Sequence, residues 1–226
     1  MANAGANVVI ADIQHDGAAA AAQEVRSAGR MAFAVQADVS NLNDIDAMVE
    51  RTVAEFGTID ILVNNAGASG RTPFFDTSED KWQQIQDVNL KSAFFCSQFA
   101  ARVMLKKGYG KIVSVSSTSG FVAGPAQIPY AVAKAGVRMM TSALAVELTP
   151  FNINVNAIAP GLIRTPMTER AFGSEEALLK RAKDKTPLVR PGLPQDLVGG
   201  VIYLCSPDSD FVTGHTLVID GGWLAQ

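Results

Sequence analysis

Ile59-Asp60-Ile61-Leu62-Val63-Asn64-Asn65-Ala66-Gly67 is the segment from which the architecture of the chain follows. Ile59 to Val63 is too short for a helix and too apolar for a strand with one wet face. A run of that kind belongs to a strand covered on both sides, as in a parallel sheet. The Asn-Asn-Ala-Gly that follows is turn chemistry, so the strand stops abruptly and delivers polar groups at its carboxyl end.

Working outward, strands and helices alternate. Upstream, Val8-Val9-Ile10-Ala11 is a β-branched run ending at Asp12, and Asp16–Ala28 is an Ala-rich helix stopped by Gly29. Met31–Ala37 leads to a strand ending at Asp38. Asn41–Phe56 carries Leu42, Ile45, Val49 and Val53 at helical spacing, with Gly57 after it. Downstream, Glu79–Lys107 reads as one long helix or two joined ones. Strands at Lys111–Ser116, Ile153–Ile158 and Thr216–Ile219 are interleaved with helices at Pro129–Leu148, Thr168–Lys185 and Gln195–Cys205. Such alternation predicts an α/β fold: a doubly wound, Rossmann-like parallel sheet with helices on both faces.

The bulk numbers agree. With 226 residues, 48% hydrophobic and 18% charged, the chain suits a single domain over 1–226 with a large core. A net charge of −3 argues against nucleic acid as the main partner. Cys96 and Cys205 have no cysteine or histidine nearby at ligand spacing, so neither a disulfide framework nor a metal site is expected. No apolar run is long enough to span a bilayer, and the first residues have no basic segment of a secretory signal. The expected setting is the cytoplasm. His15 and His215 read as solvated.

In open parallel sheets, ligands bind beyond the carboxyl ends of the strands. Asp12, Asp38, Asn64-Asn65-Ala66-Gly67, Ser116-Ser117 and Pro160-Gly161 all fall there. Tyr130-Ala-Val-Ala-Lys134 adds a second signal, because residues four apart share a helix face. A cation beside a phenol favours the phenolate, which a tyrosine of pKa about 10 needs to act as a base near neutrality. A surface tyrosine with an unrelated lysine would give the same spacing.

Taken together, Asn64-Asn65-Ala66-Gly67 after a strand, Ser117 thirteen positions before Tyr130, Tyr130-x-x-x-Lys134, Pro160-Gly161 with Thr165, Asp38-Val39, and Asn89 within Val88-Asn89-Leu90 resemble the short-chain dehydrogenase/reductase family. The resemblance runs from Gly5 to Gly222. It implies an oxidoreductase that moves a hydride between NAD(H) and a secondary alcohol or ketone. Tyr130 would be general base or acid, with Lys134 lowering its pKa and holding the nicotinamide ribose. Ser117 would hold the substrate oxygen, and Asn89 a water joining Lys134 to solvent. Ser116 is the alternative to Ser117. For the cofactor, the resemblance implies Asp12 with Ile13 at the adenosine ribose, Asp38 and Val39 at the adenine, and Asn65, Ala66 and Gly67 as close-approaching backbone. Pro160, Gly161, Ile163 and Thr165 would lie along the nicotinamide and pyrophosphate. A carboxylate at Asp12 favours NAD over NADP, although it could instead cap the following helix.

One part of the family pattern is not found. The first strand and its TGxxxGxG turn, which would cradle the pyrophosphate, are expected to be missing, a βα unit on the order of 25–30 residues. Two readings follow: a working dehydrogenase, or an inactive remnant unable to hold a dinucleotide. Residues 164–191 fall at the family's substrate lid. Met167, Phe172, Leu178, Leu179 and Leu188 are expected to line an apolar pocket, and Lys180, Arg181, Lys183 and Lys185 to form a solvated face. The sharper reading of that basic cluster is contact with an acidic carrier, as in the family's ketoacyl reductases. The resemblance further implies a homo-oligomer, dimer or tetramer, to which Val218, Trp223 and Leu224 are assigned.

Overall fold

The computed structural model describes residues 1–226. In chain order its main elements are β1 (Val8–Asp12), α1 (His15–Ser27), β2 (Ala32–Gln36), α2 (Leu42–Phe56), β3 (Ile61–Asn64), α3 (Glu79–Gln86) and α4 (Ser92–Lys107). There follow β4 (Gly110–Val115), α5 (Ile128–Leu148), β5 (Ile153–Pro160), α6 (Pro166–Phe172), α7 (Glu175–Lys185), α8 (Pro194–Cys205) and β6 (Thr216–Ile219). Local signals set the boundaries. Asn41 caps α2 by accepting from the Asn43 backbone N–H, and Gly57 ends it at φ 75°, a conformation that costs glycine least.

Every strand pair is parallel. The order β3-β4-β5-β6 makes one sheet, and β1 pairs with β2 alone. The alternation of the sheet sends neighbouring side chains to opposite faces. Ile112 of β4 packs with Met104 and Ala145 from α4 and α5, while Val113 packs with Leu204 and Cys205 from α8. Helices therefore cover both faces, and the α/β Rossmann-like architecture is as expected. Both residues are buried, a state worth about 1.5–3 kcal/mol for each aliphatic side chain. No helix is long and apolar enough to cross a membrane.

The structure refines two helical expectations. The Glu79–Lys107 segment is α3 and α4 joined by a π turn over Asp87–Lys91. The expected helix over 168–185 is two, α6 and α7, because Gly173 turns left-handed at φ 76° and Ser174 starts a new cap. Between β1 and β3 there is no ladder, and both strands remain only half-buried, whereas β4 is buried along nearly all its length.

Candidate active site

The site is assembled where β3, β4 and β5 end and α5 begins. Tyr130 and Lys134 stand on the first turns of α5, whose start carries Pro129. Lys134 is almost completely buried, and its Nζ donates to the Val115 carbonyl oxygen at 2.8 Å while lying 5.7 Å from the centre of the Tyr130 ring. Burial lowers the Lys134 pKa to about 8, because a desolvated ammonium is costly. Burial also pushes the Tyr130 phenol above its usual value, and a hydrogen bond with Ser117 acts in the opposite sense.

Ser116 and Ser117 are separated by their surroundings. The Ser116 hydroxyl is buried and donates to the Lys134 carbonyl oxygen at 2.8 Å. Ser117 faces a cavity of about 1000 Å³ that Tyr130 also lines, and its Oγ accepts from the Ser119 backbone N–H at 3.1 Å. The geometry thus favours Ser117 over Ser116 as the one open to a ligand.

Behind them the π turn presents Asn89. Its Nδ2 donates to the carbonyl oxygens of Ala68 at 2.8 Å and Ile85 at 2.9 Å, and its Oδ1 is buried without a partner. Gly67 lies against the same spot. A Cβ there would come 3.0 Å from Asn89 Oδ1 and 3.6 Å from Lys134 Nζ, so only bare backbone fits. Asn64, in the same motif, is structural: its Nδ2 donates to Ser97 Oγ at 3.0 Å and Ser114 Oγ at 3.1 Å, tying β3 to α4 and β4.

The residues assigned to the cofactor are spread along the rim and do not all face one cavity. Gly67, Ser117, Tyr130 and Gly161 line it, while Asp12, Ile13, Asp38, Val39, Asn65, Ala66, Pro160, Ile163 and Thr165 do not. Asp12 is exposed at the end of β1 and accepts from the Gln14 backbone N–H at 2.8 Å, leaving the N-cap of α1 without a side-chain bond. Asp38 accepts from the Ser40 hydroxyl and backbone N–H, which holds its carboxyl below the usual range. Asn65 and Ala66 are exposed. Gly161 has a packing reason of its own, since a Cβ would sit 2.7 Å from the Asp220 Cα. Ile163 is buried, bridging Gly192, and the Thr165 hydroxyl caps α6.

The lid residues differ from expectation. Met167 and Phe172 line the cavity, but Leu178 is buried beneath Leu162 and Ala182, and Leu179 and Leu188 are exposed. The expected solvated basic face is divided, because Arg181 turns inward over the Trp223 ring. Trp223 and Leu224, assigned to an interface, line the cavity instead. Sequence reading missed Arg71, which lines the cavity four residues past Gly67 with its guanidinium over Phe172.

The adh_short_C2 family model, described as enoyl-(acyl carrier protein) reductase, matches residues 1–224. A 2-dehydro-3-deoxy-D-gluconate 5-dehydrogenase of Dickeya dadantii is 42% identical over 90% of this chain and 81% of its own length. A 5-keto-D-gluconate 5-reductase of Escherichia coli is 39% identical over 97% of this chain and 86% of its own. The crystal structure of a gluconate 5-dehydrogenase from Burkholderia cenocepacia, in complex with NADP and tartrate, superposes with a TM-score of 0.94 at 36% identity, over 100% of this chain and 88% of that one. These matches do not confirm the expected loss of a first βα unit: the family match begins at residue 1, and the superposition uses the whole chain.

Proposed function

Because the chain belongs to the short-chain dehydrogenase/reductase family of oxidoreductases, we propose that it interconverts a secondary alcohol and a ketone on a sugar acid, with Tyr130 moving the proton. The observation that carries this reading is the meeting of Tyr130 and Ser117 on one large cavity with Lys134 buried directly behind them. Relatives named for 5-keto-gluconate and deoxy-gluconate chemistry, and a structural relative holding tartrate, support the substrate class.

The steps available to these residues follow from their places. In oxidation the substrate hydroxyl proton passes to the Tyr130 phenolate, and in reduction the phenol returns it. The Ser117 hydroxyl donates to the substrate oxygen, where negative charge develops. Lys134, as a cation, favours the phenolate. The unpartnered Asn89 Oδ1 is free to accept from a water leading outward from Lys134. When bound, a nicotinamide dinucleotide supplies the redox half of the reaction. The bare Gly67 backbone, beside which Lys134 Nζ lies, fits its ribose, and the Asp12 carboxylate favours NAD by repelling a 2′-phosphate. Residues 164–191 act as the substrate lid. Val132, Met139 and Val146, seven apart and 45%, 66% and 79% exposed on α5, support association into a homo-oligomer.

A second reading, in which these residues do not hold a dinucleotide, is favoured by the absence of a ladder between β1 and β3, which leaves the rim divided between two sheets. Titration with NADH and NADPH, followed by nicotinamide fluorescence, separates the two. We expect saturable binding, tighter for NADH. Tighter NADPH binding would remove the role given to Asp12, and no binding by a folded chain would favour the second reading. Tyr130→Phe should cost about 10²- to 10⁴-fold in turnover and leave cofactor binding intact.

A further inference from the structure

The charged lining of the cavity is lopsided. Arg71, Arg170, Arg181 and Lys185 stand with a single acidic side chain, Asp184, in a chain whose net charge is −3. Two of the cations are held in a particular way. Arg71, on the segment after β3, lies 5.0 Å from the Phe172 ring centre, and Arg181, on α7, lies 5.1 Å from that of Trp223. A guanidinium held over an aromatic face is restrained by the ring without using its N–H groups on a protein acceptor. Neither arginine takes part in any of the chain's ion pairs, which use Arg164, Arg190, Lys91, Lys107, Lys111 and His15. Neither guanidinium has a hydrogen-bond acceptor in the protein. Arg170, by contrast, gives its Nε to the Pro166 carbonyl oxygen.

Two guanidiniums without a protein partner, on the cavity that Tyr130 and Ser117 also line, suit a carboxylate, which can take two parallel N–H bonds from one such fork. Arg71 is only four residues from Gly67, so its backbone lies within about 14 Å of the bare turn beside Lys134. We propose that Arg71 and Arg181 receive the substrate carboxylate and thereby select acids over neutral polyols. This inference rests on the sugar-acid reading above and assigns its specificity to two residues that the proton-transfer chemistry does not use.

Calorimetric titration with D-gluconate and with D-glucitol, its counterpart without the carboxylate, tests the assignment. NADH is kept present so that no turnover occurs. The unaltered chain should bind gluconate at least about tenfold more tightly than glucitol, the size of one charge-assisted pair. Arg71→Gln and Arg181→Gln should each remove about tenfold from gluconate affinity and leave glucitol unchanged. Arg71→Lys and Arg181→Lys should recover part of it, keeping the charge but not the fork. Glutamine variants that bind gluconate normally would overturn the clamp and leave the sugar-acid reading standing. Equal losses for both ligands would also overturn it, because the arginines would then only fasten the lid through Phe172 and Trp223. An unaltered chain that prefers glucitol, or binds neither ligand, would overturn the sugar-acid reading and the clamp together.

Discussion

Lys134 is held between two strand-end groups, with its Nζ on the Val115 carbonyl and its own carbonyl receiving the Ser116 hydroxyl. That double attachment sets the Tyr130 side chain against Ser117, and it buries a cation. Its pKa, lowered to about 8, has a definite consequence for stability. The folded protein releases this proton at lower pH than the unfolded chain does. The buried charge therefore costs stability at neutral pH, and the cost is relieved as pH rises from about 8 toward 10.4. Relative to Lys134→Met, the unaltered protein should gain about 1.4 kcal/mol per pH unit across that window, measured by urea unfolding at each pH. Parallel curves for the two proteins would show that the ammonium is not strained by burial.

Elements converge on the site through close backbone approaches. The Gly161 N–H at the end of β5 donates to the Ile219 carbonyl oxygen at 3.0 Å, and the Gly161 Cα faces the Asp220 backbone. Asp220 in turn accepts from the N–H groups of Gly222 and Leu224, which shapes the tail that closes the cavity. A methyl at position 161 has no flexible neighbour to displace. Gly161→Ala should destabilise by about 1–3 kcal/mol, read from the urea midpoint, and should disturb Trp223 emission. An unchanged midpoint would mean that β6 shifts freely. The π turn is the second elemental device: it interrupts the α3–α4 helix and turns Asn89 toward Gly67, as such bulges often do at functional sites.

Across the whole molecule, burial is uneven. β4 and β5 are covered by helices on both faces, whereas β1 and β2 form a separate pair whose inner strand is only half-buried. Local opening follows buried apolar contact, so amides of β1 and β2 should exchange with solvent at lower opening free energy than those of β4 and β5. Native-state hydrogen exchange would read this directly, and uniform protection would contradict it. Already legible in the sequence were the alternation of strands and helices, the parallel sheet, the rim turns that carry Gly67 and Ser117, and the helical spacing of Tyr130 and Lys134. These depend on local periodicity and turn chemistry, which neighbouring residues encode. Packing in three dimensions buried Ser116 and left Ser117 on the cavity, brought Arg71 to Phe172 and Arg181 to Trp223, and turned the C-terminal tail into a wall of the cavity. Those outcomes join residues far apart in sequence, Gly67 and Trp223 on one cavity among them, and no local pattern records which side chains a packed core will press together.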